Sequence, residues 1–567
     1  GKDAAGSNDF AASGLAFTDI VPDSPTNNFA TLNPLDNYNT GATLSEGNLK
    51  WTIGVADGAS RSTFVMTAGK WYVEFLSNND YIGVVSGNAD ITTVNGTQTV
   101  FYAQDGTKRV NSSGSAYGAS WSDGDIIGIA LDLDSGTQTV TFYKNNAAQP
   151  ALNLTDVGNE GYSVSCASGS GSTNATANFG QDSSFAGTKT SGSAGASDGN
   201  GVGDFYYAPP SGFLALASAN LQEPTIIDGT DHFNTVLYTG NGSTGQGISG
   251  VGFSPDWVWL KSRNAARSHG GFDSVRGRAK GFAIESTNAE YSSAAGRDLV
   301  SFDSDGFTVG NPENFGSANT NGDSIVAWNW LAGTAFSNDA SATGVGTIDS
   351  EGQVNTTAGF SIVKYTGNTT AGATVAHGLS SAPEFIITKN RDASTAWHVY
   401  YGDATDYLVL NTTAATADSA ASGWNDVAPT SSVFSLGASN PSNANQDIAY
   451  CFHSVEGYSK VGSYDGNGNA DGTFVYTGFR PAWILIKKTS GTDGWSIYDN
   501  KRDTFNVVDT RLSANTNDAD VSGTNIQIDF LSNGFKLRGT GSTINTSGQT
   551  YIYLAIANQP AKFSNAR

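Results

Sequence analysis

Four oxygen-bearing side chains alternate along the turn DGNGNADG (465–472), at Asp465, Asn467, Asn469 and Asp471. Carboxylate and amide oxygens at alternate positions open a calcium loop of the EF-hand kind. The loop lacks the glycine such a site needs at its sixth position, and Tyr476 stands where its bidentate glutamate would be. The matching turns TGNGSTGQG (239–247) and TGNTTAGA (366–373) carry no acids. The expectation is therefore a hairpin tip, with calcium kept as the alternative and no other cofactor. Two further sets suit sugar binding, in which an aromatic ring stacks on a sugar face while acids and amides bond its hydroxyls. They are Trp121 with Asp123 and Asp125, and Trp424 with Asn425 and Asp426. The competing reading of Trp121 is a core cap. Five histidines (His232, His269, His377, His398, His453) follow no metal-ligand spacing, and nucleophile elbows, phosphate loops and paired zinc cysteines are absent from the sequence. With 52 Asp and Glu, no carboxylate pair stands out as the two a glycosidase needs. No catalytic residue is assigned, and the expectation is a non-enzyme.

The elements that must position these residues show a threefold repeat, read before any single strand. PDWVWLK (255–261), PEFIITK (383–389) and PAWILIK (481–487) share one anchor. Tyr238, Tyr365 and Tyr464 precede the anchor prolines by 17, 18 and 17 residues, and Phe307, Phe434 and Phe535 follow them by 52, 51 and 54. Each unit closes on an apolar run: IVAWNW (325–330), IAYCF (448–452) and YIYLAI (551–556). The anchors are apolar on both faces, as central strands covered on both sides must be. Each proline is expected just ahead of its strand. Trp257, Trp259, Trp328, Trp330 and Trp483 read as core. The extra residues between units one and two, 334–358, read as a linker.

The 567-residue chain is rich in Gly (69), and it holds 11 Trp, 22 Tyr and 29 Phe. This mixture suits short strands joined by tight turns, with enough aromatic surface to rule out disorder. The fold class is all-β, as tandem antiparallel β-sandwiches. The expected layout is an extended arm (1–40), a first sandwich (41–185), a Gly/Ser linker and bridge (186–231), repeat one (232–333), the linker (334–358), repeat two (359–457) and repeat three (458–567). A hairpin turns across Asp134-Ser135-Gly136. A net charge of −23 excludes wrapping nucleic acid or docking on anionic lipid. No apolar run is long enough to span a membrane. Cys166 and Cys451 read as two buried thiols in different domains. The chain starts at Gly1 and its single methionine is Met66, which points to an upstream segment removed or lying outside it.

GKWYVEF (69–75), YIGVV (81–85), WSDGDIIGIALDLDSGTQTVTFYKNN (121–146) and NFGQ (178–181) resemble the SPRY family, a concanavalin-like sandwich of two antiparallel sheets. The wider layout is a DSPTNNFATLNPLD arm, a SPRY-like sandwich, a PPSGFLAL bridge and GFSPDWVWLK repeats with FDSVRG (272–277) and SFDSDGFTVG (301–310). It resembles tail-fibre or appendage proteins of marine tailed phages, such as cyanophages and pelagiphages. That resemblance implies a structural protein on the virion surface, outside the cell. The implied molecule is a row of rigid beaded sandwiches, a homo-oligomer and by likeness a trimer. Its partners would be other virion proteins and a host-surface glycan or protein, with more sequence upstream to anchor it. A capsid-surface or tail component without a receptor role, and a polysaccharide-cleaving enzyme, are the other readings.

Overall fold

The computed structural model describes residues 27–562, apart from 39–40, 79–80, 88, 90, 92–95, 159–160, 170, 191–195, 419–422, 438–444 and 561. The expected arm at 1–26 lies outside the described residues. The chain forms two compact units, residues 1–222 and 223–567. Nearly all regular structure is antiparallel strand.

The first unit is a sandwich of a seven-stranded and a nine-stranded sheet. The predicted hairpin is present: Ile126–Asp132 pairs with Thr139–Lys144, and Ile126–Asp132 also pairs with Lys70–Ser77. Residues 27–37 are not an arm. Leu32–Asn37 pairs with Gly58–Ser62, because Phe29, Ala30 and Leu32 are apolar and bury against the sheets. The bridge is likewise tied down. Leu214–Ala215 adds in parallel to Lys70–Ser77, and Glu74 on that strand accepts the N–H groups of Tyr206 and Tyr207, each at 2.8 Å. Asn178 Nδ2 and the Tyr72 hydroxyl also donate to Glu74. Burial pushes this carboxyl up to about 7, against four donors that favour its charged form.

In the second unit each repeat keeps a larger and a smaller sheet. The larger sheets share one order: the opening strand, the closing strand, the anchor, then three short strands. In repeat one these begin with Phe233–Thr239, Ser324–Trp330 and Trp257–Ser262. In repeat two they are Phe360–Thr366, Gln446–Phe452 and Phe385–Asn390, and in repeat three Ser459–Asp465, Thr550–Pro560 and Phe479–Lys488. The anchor proline precedes the strand in repeats one and two. In repeat three Pro481 sits inside the strand at a register shift, where a missing N–H breaks no ladder bond.

The constant Tyr-to-Phe spacing now has a cause. Tyr238 meets Phe307 at 6.1 Å between ring centroids, Tyr365 meets Phe434 at 6.0 Å, and Tyr464 meets Phe535 at 5.9 Å, each edge to face. Each pair joins the opening strand to the strand that carries the phenylalanine.

Beads do not describe this unit. Val258 and Leu260 face the repeat's own smaller sheet, whereas Trp257 and Trp259 point into a core shared with Phe360, Phe385, Tyr450, Trp483 and Leu485 of the other repeats. Trp257 stacks on Trp330 and on Tyr450, each with centroids 4.4 Å apart. Anchors apolar on both faces thus serve two cores at once.

The ring closes through one repeated position. Trp397 of repeat two donates its indole N–H to Ser286 O of repeat one at 3.1 Å, and Trp495 of repeat three donates to Val409 O of repeat two at 3.0 Å. His269 fills the corresponding place in repeat one. Its Nδ1 accepts from Trp259 Nε1 at 2.9 Å, so the proton lies on Nε2, which donates to Thr516 O and Ser513 O of repeat three. Burial drives the His269 ring down to about 3, keeping it neutral.

The segment expected as a linker is ordered. Thr334–Asn338 and Ser350–Asn355 form a hairpin that extends the larger sheet of repeat two, with a short helix, Ala340–Thr343, at its tip. Asp339 caps that helix by accepting from Ser341 and Ala342 N–H, and Gly344 ends it in the left-handed region at φ 68°. Composition misleads here because an edge hairpin exposed on one face uses the same polar residues as a loop.

Both cysteines are free and buried, Cys166 in the first unit and Cys451 in the second. Burial pushes both thiols up, Cys451 to about 12. Neither is expected to react with a thiol reagent in native buffer, and both should react once denaturant unfolds the chain. Fast labelling of the native protein would contradict this placement.

Candidate functional site

The aromatic sets do not form sugar platforms. Trp121 is 3% exposed and Trp424 is 1% exposed, each packed in a sandwich core against Tyr102 and Tyr400 respectively. A ring with no face open to solvent cannot stack on a ligand. Asp123 is exposed. Asp125 is occupied locally: burial opposes its charge, yet Ser122 N–H, Asn145 and Lys144 hold its carboxyl below the usual range. Asn425 and Asp426 both take positive φ, 57° and 52°, in the tight turn after Trp424. Trp beside Asp in a turn is what a core cap followed by a reversal also produces.

The four residues of the calcium alternative are spent on their own loop. Asn467 Oδ1 accepts from Asn469 N–H, Asn469 Oδ1 accepts from Asp471 N–H, and Asp465 Oδ1 accepts from the Thr550 hydroxyl. Asp471 pairs with Lys536 at 3.0 Å. Side-chain to backbone bonds of this kind make Asx turns, but the loop is not the hairpin tip expected: it crosses from Ser459–Asp465 of the larger sheet to Phe474–Tyr476 of the smaller one. Among the described residues no group of three or more His, Cys, Asp or Glu could hold a metal ion.

The site that geometry offers lies on repeat two, where the hairpin insertion breaks the threefold pattern. A groove of about 690 Å³ runs from the insertion to the ends of the central strands. One wall is the insertion, with Asn338, Asp339, Thr347, Ile348 and Asp349; the other carries Thr366, Asn368, Arg391 and Gln446. Strand register explains the floor. Asn338, Ser350, Tyr365, Asp447 and Asn390 face one another in a single row across five strands. Tyr365 lines the groove, and Asp447 is its neighbour in that row.

Charges around the groove are matched in pairs. Lys364 meets Glu351 at 2.9 Å. Arg391 makes two bonds to Glu290 of repeat one and one to Gln446. Asp339 and Asp349 accept backbone N–H groups of the insertion. Asp447 is different. It is fully buried where repeats one and three carry Ile325 and Tyr551, and its Oδ1 accepts from Asn390 Nδ2 at 2.9 Å while its Oδ2 has no partner among the described residues. Burial pushes this carboxyl up to about 9, Asp392 adding to the rise, so it is protonated at neutral pH. Sequence reading missed the groove. Its one signal was the 30-residue excess between the first two anchors together with an acid in the otherwise apolar run QDIAYCF.

Three lysines at the end of the anchors, Lys261, Lys389 and Lys487, are fully buried and drawn down to about 8 by burial. Their ammonium groups donate to backbone carbonyls, Lys389 to Thr287 of repeat one and Lys487 to Thr413 of repeat two. Lys389 and Lys487 thus brace neighbouring repeats, whereas Lys261 donates within its own, to Ser262 O and Ala265 O.

A model of the family described as Domain of unknown function (DUF7483) matches residues 228–560, the whole three-repeat ring. The chain belongs to this family. The DUF7483 region is preceded by a SPRY domain, whose model matches residues 47–182 and so covers the first sandwich. No curated protein matches the chain. Among solved structures, the SPRY domain of human HERC1 is 16% identical, covers 26% of this chain and 96% of its own, with a TM-score of 0.23. A human SPRY domain is 15% identical over 24% of this chain and 94% of its own, TM-score 0.20. Stonustoxin is 19% identical over 26% of this chain and 27% of its own, TM-score 0.22. This chain therefore spans about a quarter of stonustoxin's length.

Proposed function

We propose that this SPRY–DUF7483 chain is a non-catalytic structural and binding protein of a virion surface, of the tail-fibre or appendage kind, which touches a host surface or a neighbouring virion protein. The observation that carries the binding part is the repeat-two groove, a polar recess built by an insertion on an otherwise symmetric, aromatic-locked ring. Such a scaffold holds a site rigidly while leaving loops and insertions free to vary. The SPRY domain supports the same reading, since SPRY domains in general mediate protein interactions. The virion part rests on the likeness of the SPRY-like strands, the PPSGFLAL bridge and the GFSPDWVWLK repeats to tail-fibre or appendage proteins of marine tailed phages, and it includes a homo-oligomeric, trimer-like assembly.

Peptides of the chain should appear at fixed stoichiometry in purified particles when quantified by mass spectrometry, and the isolated chain should compete with particles for adsorption to host cells. Absence from particles would sink the virion reading. Presence without competition would leave a structural component that has no receptor role.

A further inference from the structure

We infer that the repeat-two groove is a saccharide site for a neutral, hydroxyl-rich segment of polysaccharide; this rests on the proposed binding role and names its ligand class. The volume falls within the range of about 300–1,000 Å³ typical of small-ligand sites. The lining decides the chemistry. The Ser337 and Thr366 hydroxyls and the amide nitrogens of Asn368 and Gln446 line the groove with no partner among the described residues, whereas Asn338 and Thr347 are bonded to Val345, Thr343 and Thr374. These are the donor–acceptor groups that sugar hydroxyls require.

Net charge does not select an anionic ligand. Lys364 is neutralised by Glu351 and Arg391 by Glu290, so neither is a bare cation for a phosphate or a uronic acid. The acids of the insertion, Asp339 and Asp349, accept backbone N–H groups and keep their negative charge, so a cationic peptide is the competing ligand that the peptide set tests. Ile348 is the single aliphatic residue of the lining, which disfavours a peptide carrying apolar anchors.

The floor adds a second, independent observation. The Tyr238 hydroxyl of repeat one donates to Ala318 O at 2.6 Å, and that of Tyr464 in repeat three to Ile544 O at 2.8 Å. Tyr365 is buried to 4% exposure in the groove floor, and its hydroxyl has no partner among the described residues. The stretch corresponding to those carbonyls, 438–444, lies outside them. Asp447, next to Tyr365 in the same row, is fully buried and is not part of the groove lining. A ligand hydroxyl reaching the floor would answer a buried polar group that otherwise costs stability.

The experiment uses the full chain, a panel of neutral and anionic oligosaccharides and a set of polar peptides, with binding read by saturation-transfer NMR and calorimetry. Neutral oligosaccharides are expected to bind. Thr366→Trp, at an exposed lining position, should weaken that binding by about tenfold or more by filling the groove. Asn368→Ala, also exposed, should weaken it less, by about the loss of one hydrogen bond. Both variants should melt like the parent, which separates blockage from misfolding. The inference is overturned by no binding across the neutral panel, by binding confined to anionic sugars or peptides, or by neutral binding that Thr366→Trp leaves unchanged. Detection of the chain in particles together with any of these results would remove the ligand class and leave the virion reading standing.

Discussion

Replacing Asp273 by alanine is expected to destabilise the entire 223–567 unit by about 3–5 kcal/mol, because it takes the closest carboxylate from a buried guanidinium. Asp273 and Arg276 are both fully shielded, with Nε to Oδ2 at 2.5 Å, and Arg276 also donates to Gly271 O. The Tyr450 hydroxyl of repeat two donates to the same Asp273 oxygen at 2.7 Å. One substitution thus takes the nearest carboxylate from a buried cation, whose remaining acid is Glu290 at 3.4 Å, and removes the acceptor of a buried hydroxyl at the seam between two repeats. Asp499 and Arg502 repeat the arrangement in repeat three, where Asp499 Oδ2 accepts from Trp328 Nε1 of repeat one. Repeat two has Tyr401 at this place and no such pair, so the ring carries two of these clamps.

Scanning calorimetry on Asp273→Ala should show one cooperative transition moved down as a whole. Hydrogen exchange should rise in the strands of all three repeats. Tyr450→Phe, which removes only the hydroxyl, should cost about 1 kcal/mol. A split transition in which a single repeat melts early would contradict the shared core.

A second large effect is expected at Asp447, and its sign depends on pH. Below about pH 4 the carboxyl is protonated in both folded and unfolded chains. As pH rises, the unfolded chain ionises near its ordinary value while the folded carboxyl keeps its proton until about 9. Its contribution to stability is therefore complete at acid pH and is lost progressively from about pH 4 up to about 9. Asp447→Asn keeps an acceptor for Asn390 Nδ2 and does not titrate. The variant should match the parent near pH 4 and exceed it by about 2–4 kcal/mol at pH 8–9, measured by denaturant unfolding at each pH. Parallel profiles across that window would show that the carboxyl titrates normally.

Much of this was legible in the residues, and the reasons differ from place to place. The Tyr–Pro–Phe spacing exposed the repeats because each distance is fixed by one edge-to-face pair and one central strand. The SPRY strands were legible because GKWYVEF and the 125–145 hairpin carry the family's motif residues, although Lys70–Ser77 and Ile126–Asp132 are buried on both faces and show no alternation. The ring was not, because the position that closes it changes type, His269 in one repeat and Trp397 and Trp495 in the others. Spacing reveals a repeat's internal contacts; the contacts between repeats keep one place, 14 residues after each anchor proline, but not one residue type. The groove was hidden for a related cause. Its insertion is polar hairpin, indistinguishable by composition from linker, and its floor pairs residues more than 80 positions apart, Tyr365 with Asp447. The Trp121 and Trp424 sets failed because sequence shows an aromatic beside acids without showing which way the ring points.

The start and finish of the ring meet. Glu223 pairs with Lys562 at 2.8 Å, and the backbone at Gly229 lies so close to Ala557 that a Cβ there would sit 2.6 Å from its carbonyl oxygen. Force transmitted between Glu223 and Lys562 would therefore load first the seam between the first and third repeats, and reach the second only through the core it shares with them. The repeat that bears the groove is the last to be loaded, so pulling on the chain would strain that seam before the recess and its insertion.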